Sequence, residues 1–65
     1  MDTVGKAIDA AYQAEIAVIY KTFSQAVLAA QGNATELAAA EARFKAGLTH
    51  AADVQTRALA AAGIN

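Results

Sequence analysis

The sequence predicts an all-α fold in which two long helices form one antiparallel hairpin. Three observations carry this prediction: helix-favouring residues dominate both halves, proline is absent, and one Gly-Asn pair stands near the midpoint. Alanine alone supplies 20 of the 65 residues, and there is no cysteine. We therefore expect a single domain over residues 1–65, without disulfides or thiolate sites.

The midpoint Gly-Asn pair marks the turn of the hairpin. Gly32 suits the position after a helix, because glycine enters the left-handed region without a Cβ penalty. Asn33 is a strong N-cap for the next helix, and Glu36 follows it by three residues, as in a capping box. We predict helix 1 over about 3–31, a turn at 32–33 and helix 2 over about 34–62. So short a connection makes the two helices antiparallel neighbours.

The outer ends of the two helices also carry capping signals. Asp2 or Thr3 can cap helix 1. Gly63 follows the last predicted helical residue, and Ile64 is placed to contact Leu59 in a Schellman motif. These residues predict where the first helix begins and where the second one ends.

Residues at alternating spacings of four and three mark the faces that pack together. On helix 1 this seam contains Gly5, Asp9, Tyr12, Ile16, Ile19, Phe23, Ala26 and Ala30. On helix 2 it contains Leu37, Glu41, Phe44, Leu48, Ala51, Gln55, Ala58 and Ala62. A lone hairpin covers only half of each stripe, because each helix has one neighbour. We therefore predict self-association, with a four-helix bundle dimer as the expected form.

Helix 1 carries a second apolar face that the seam does not explain. Val4, Ala11 and Val18 recur every seven residues and point about 100–130° away from the seam centre. A helix that is apolar nearly all round is normally buried. Our hypothesis is that this stripe is a second interface, which docks onto another bundle or a larger partner protein.

Three polar residues fall in the seam: Asp9, Glu41 and Gln55. Carboxylates inside four-helix bundles hold metals in di-metal proteins, but those proteins also use Glu-x-x-His pairs, which this chain lacks. The one histidine, His50, projects about 160° away from the seam. We expect no metal and no cofactor, and we interpret the seam polar residues as devices that fix register and partner number.

The remaining sequence features indicate a non-catalytic function. No nucleophile–base set and no phosphate loop is present in the sequence, so we expect no enzyme. The net charge of −1 offers no general attraction to nucleic acid or anionic lipid. With no signal peptide or membrane-spanning run in view, a cytoplasmic location is the expectation. The sequence thus predicts a structural or assembly module that packs against itself or a larger protein.

Two alternatives stay open at this point: first a small regulatory binding protein, and after it an interfacial membrane helix. Glu36, Arg43, His50 and Arg57 recur every seven residues and so share one stripe of helix 2. In a dimer the arginines of two chains would present four cations, which suits a small regulatory protein that binds RNA or protein. Glu36 on the stripe and the lack of interleaved aromatic residues count against RNA.

Overall fold

The structure, a computed structural model, describes residues 2–64, which form two α-helices and no strand. Helix α1 spans Thr3–Ala30 and helix α2 spans Ala34–Ala61, with 28 residues each. They pack side by side along their length, and the hairpin measures 48 × 15 × 9 Å along its principal axes. The predicted all-α hairpin is confirmed.

The connection between the helices contains one residue more than the sequence suggested. Helix α1 ends at Ala30, and both Gln31 (φ 49°, ψ 43°) and Gly32 (φ 80°) adopt left-handed conformations. The Asn33 N–H donates to the Ala30 carbonyl at 2.9 Å, which closes a four-residue reverse turn. Positive φ at both central residues is the signature of a type I′ turn. The sequence predicts that helix 1 reaches Gln31, whereas Gln31 is left-handed and belongs to the turn.

Asn33 then starts the second helix. Its side-chain Oδ1 accepts a hydrogen bond from the Glu36 backbone N–H at 2.9 Å. This bond satisfies one of the amide groups that lack a partner in the first turn of a helix. The Asn33 N–H is already bonded to Ala30, so the Glu36 side chain does not complete a reciprocal capping box.

The outer ends of the helices differ in how they are capped. At the start of α1, Asp2 occupies the N-cap position but makes no side-chain capping hydrogen bond, and its carboxylate lies where a Cβ on Gly5 would collide. At the end of α2, the Ile64 N–H donates to the Leu59 carbonyl at 2.8 Å, and the Gly63 N–H donates to Ala60 at 3.1 Å. With Gly63 at φ 77°, these bonds form a complete Schellman motif.

The contact between the helices is built from small residues. Within residues 2–64 the buried apolar side chains are Ala30, Ala40 and Ala51, at 5%, 2% and 1% exposure. Phe23 and Phe44 stack across the interface with their ring centroids 4.6 Å apart. The larger seam residues are only half-buried: Tyr12, Ile16, Ile19, Phe23, Leu37, Phe44, Leu48 and Gln55. One hairpin thus leaves its seam partly open to solvent.

Three members of the predicted seam are not covered within the single hairpin. Asp9, Glu41 and Ala62 are exposed, whereas Ala40, one residue before Glu41, is almost completely buried. Adjacent helical residues point about 100° apart, so the contact line on α2 runs on the Ala40 side of Glu41. Alanine at the contact lets the helices approach closely, while the carboxylate keeps its hydration.

The turn can be tested through two neighbouring substitutions. A Cβ on Gly32 would meet no atom within 4 Å, so Gly32→Ala adds only backbone strain at positive φ. We expect a loss of about 1 kcal/mol in the free energy of unfolding, measured by denaturant titration at fixed protein concentration. Gln31→Gly is the matched control, because it relieves the same kind of strain and is expected to leave stability unchanged or higher. A neutral Gly32→Ala variant would contradict the turn geometry.

Candidate interaction surface

One broad side of the hairpin is apolar and grooved, and we call it the groove face. Its three shallow grooves follow one another along the line between the helices. Residues of α1 that line them include Ile8, Ala11, Glu15, Val18, Thr22 and Ala29. Residues of α2 that line them include Glu36, Arg43, Gly47, Val54 and Ala58. Only three of these eleven side chains carry a charge.

The second apolar stripe predicted on α1 lies along this groove face. Val18 lines the central groove together with Gly47, and Ala11 lines the neighbouring groove together with Val54. Val4 continues the same stripe toward the start of α1. Val4, Val18 and Val54 are 55%, 62% and 41% exposed, so the single chain leaves all three valines in water. Sequence reasoning placed the α1 stripe here but missed Val54, which joins it only through the folding of α2 against α1.

The other broad side, the opposite face, is more polar on α1. Helical spacing places the residues Lys6, Asp9, Gln13, Tyr20, Ser24 and Val27 there. Tyr20 is 64% exposed and Val27 is 38% exposed. Leu48 and Leu59 of α2 border this face and are half-buried. The two broad sides of the hairpin therefore differ in the polarity of α1.

The seam polar residues make one contact between the helices. The Gln55 Nε2 donates to the Asp9 Oδ1 at 3.5 Å, as their expected common level in the hairpin requires. Asp9 is exposed and Gln55 is half-buried, so this bond sits at the solvent edge of the interface. Glu41, also in solvent, forms no side-chain hydrogen bond or ion pair within residues 2–64. The three residues therefore do not converge on one point.

The cationic stripe of α2 is partly neutralised. The Arg57 Nε donates to the Asp53 Oδ2 at 2.8 Å, and this exposed pair joins successive turns of the helix. Arg43 lines a groove that also contains Glu36. The stacked pair Phe23 and Phe44 is engaged within the hairpin. One of the two arginines of the stripe is thus paired, and the stripe offers no free aromatic platform for RNA bases.

Gly47 is a glycine at which the single hairpin has room for a side chain. Gly32 and Gly63 have positive φ, and a Cβ on Gly5 would strike Asp2. At Gly47, by contrast, a Cβ would only touch the Ile19 side chain at 3.4–3.6 Å, an ordinary contact distance. Glycine inside a helix costs about 1 kcal/mol relative to alanine. The chain accepts this cost at a position that lines the central groove of the groove face.

The described residues contain neither a metal-binding cluster nor a membrane-spanning helix. Between residues 2 and 64, no three histidine or acidic side chains come close enough together to hold a metal ion. Neither α1 nor α2 contains a stretch that is long and apolar enough to cross a membrane.

Comparison with known proteins places the chain in no group. No protein-family model, no curated protein and no solved structure matches it.

The seam polar residues allow a test of specificity. We expect Glu41→Leu and Gln55→Leu to keep or raise the thermal unfolding midpoint and to broaden the set of oligomers seen by native mass spectrometry. The reason is that polar groups beside a helical interface select one arrangement more than they strengthen it. Tight stoichiometric metal binding by the wild type, lost in Glu41→Leu, would contradict this interpretation.

Proposed function

We propose that this protein is a non-enzymatic structural or assembly module that works by self-association of its helical hairpin. The observation that carries the proposal is the composition of its core. Among residues 2–64, the buried apolar side chains are three alanines, while six larger apolar side chains are 38–79% exposed. Burial of a methyl group contributes far less than burial of a valine or leucine side chain. A second hairpin supplies the missing burial.

The surface area of the hairpin supports this proposal. A compact protein of 6.6 kDa has an accessible surface of about 3,900 Å². The hairpin exposes 4815 Å², about 900 Å² more than that. Its radius of gyration is 14.9 Å, against about 11 Å for a compact chain of this length. A standard protein interface removes about 800 Å² from each partner, so one such contact accounts for the excess surface.

A four-helix bundle is the assembly that suits these dimensions. Two hairpins that stack broad side on broad side give every helix two neighbours and cover the half-buried seam residues. The hairpin's 15 Å and 9 Å transverse dimensions leave one layer of helices, and a second layer makes the structure as thick as a small globular domain. We favour a second copy as the binding partner over RNA because Asp53 pairs with Arg57 and the stripe itself includes the acidic Glu36.

Dependence of stability on concentration tests the proposal. Because association stabilises the folded state by mass action, the unfolding midpoint is expected to rise as total protein is increased from micromolar to millimolar. Light scattering or sedimentation equilibrium over the same range is expected to give twice the mass of the chain.

Two results together would overturn the proposal. One is the mass of a single chain at every concentration, and the other is an unfolding midpoint that stays constant. A salt titration serves as the control: a dimer held by apolar contacts keeps its mass between low and high salt, whereas contacts through exposed charges weaken as salt rises.

A further inference from the structure

We infer that the groove face is the surface that receives the second copy, with the two hairpin turns at the same end of the bundle. In this arrangement α1 of each chain packs on α2 of the other. Val18 of one copy then sits over the notch that Gly47 leaves in the other. The inference rests on the proposed self-association and specifies which surface performs it.

The first argument is the contrast between the two broad sides. Both broad sides border the same half-buried seam residues. A second copy docked on either side would therefore cover them. On α1, the groove face carries Val4, Ala11 and Val18 with one charged residue, Glu15. The opposite face carries Lys6, Asp9 and Gln13, and covering them would remove their water without supplying partners. On α1, the groove face therefore loses less hydration on docking than the opposite face does.

The second argument is the glycine at position 47. A helical glycine that the chain itself does not need is explained if another backbone or side chain approaches it closely. Val18 and Gly47 border the same groove, so they lie at one level along the hairpin. A two-fold axis parallel to the helices keeps this level in both copies. It therefore places each Val18 over the Gly47 of the second copy.

The third argument is the match of large and small residues along the bundle. One groove further from the turn, the order reverses: Val54 of α2 shares a level with Ala11 of α1. With both turns at the same end, Val54 meets Ala11 of the second copy, just as Val18 meets Gly47. Each level then pairs one valine with one small residue, which keeps the spacing between the layers even.

The alternative stacking, with the turns at opposite ends, fits less well. Suppose that two hairpins overlap along their full length with their turns at opposite ends. Arg43 of one copy and Val54 of the other then lie within about 3 Å of each other along the bundle axis. A guanidinium would then cover an exposed valine. The same-end arrangement instead sets Arg43 at the level of Thr22, with which it shares a groove in one chain.

A matched pair of charge substitutions tests the face. Val18 and Tyr20 lie two residues apart, are 62% and 64% exposed, and point to opposite broad sides. Val18→Glu is expected to raise the dimer dissociation constant on the order of 100-fold, because two unpaired carboxylates enter the interface. Tyr20→Glu is expected to change it less than about threefold. Circular dichroism checks that both variants stay helical, and Lys21, three residues from position 18, can pair with the new charge in the monomer.

The outcomes of this pair separate the two proposals. A wild type that is monomeric throughout would overturn self-association itself. A dimeric wild type that is weakened equally by both variants, or by Tyr20→Glu alone, would leave self-association standing and overturn the groove face as its site.

The notch at Gly47 allows a second test, in which helix content and dimer affinity are expected to change in opposite directions. Gly47→Ala is expected to raise the helix content of the chain while weakening the dimer by about tenfold, because helix propensity improves as the space for Val18 is filled. Ala46→Gly, the reverse change at the neighbouring exposed position, is the control and is expected to lower helix content without a comparable loss of affinity. A Gly47→Ala dimer as tight as the wild type would contradict the notch.

The arrangement of the turns is tested by one distance. The chain contains no cysteine, so Thr35→Cys gives a single labelling site on an exposed position beside the turn. Spin labels on the two copies are expected about 25 Å apart if the turns share one end, and about 40 Å apart if they lie at opposite ends, given the length and spacing of the helices. A double electron–electron resonance distance near the larger value would overturn the same-end arrangement.

Discussion

The line of small residues between the helices is the constraint on which the rest of the structure depends. Ala30, Ala40 and Ala51 occupy the contact and are 1–5% exposed. Because their side chains are single methyl groups, the helices approach closely and the larger residues lie at the margins of the contact. The margins remain half covered in one chain. An interface that is well fitted but low in apolar volume therefore makes a hairpin of definite shape with little stabilising burial of its own.

How far the sequence predicted the fold depends on the range of the interactions involved. Gly32, Asn33 and Gly63 were predicted because helix caps are set by hydrogen bonds within a few residues, and each residue type signals its own backbone conformation. The left-handed Gln31 was not predicted, because glutamine has no such preference. The type I′ turn that closes this hairpin has positive φ at both central positions, and Gln31 occupies the first of them.

The candidate surface was predictable on one helix and not across two. Val4, Ala11 and Val18 could be grouped because a single helix fixes their relative directions. Gly47 and Val54 join them only when α2 is turned so that Ala40, rather than Glu41, lies against α1. A heptad pattern is recognised from large apolar residues, so it places the contact line between the helices among them. The smallest residues, however, decide where the two helices approach most closely. The carboxylate of Glu41 lies outside the contact for the same reason.

The difference between the two broad sides of the hairpin also bears on how many chains such an assembly would contain. A contact in which each copy offers the same surface is closed after two chains, whereas growth into a filament needs a second, complementary surface. The proposed pairing uses the groove face of both copies and leaves the opposite face outward. There the Gln55 amide already bonds to Asp9, and α1 also carries Lys6, Gln13 and Ser24. A third hairpin would have to desolvate these polar groups to reach Tyr20, Val27 and the half-buried Leu48 and Leu59. Apolar surface on one side and polar surface on the other thus favour a closed bundle of four helices over an open array.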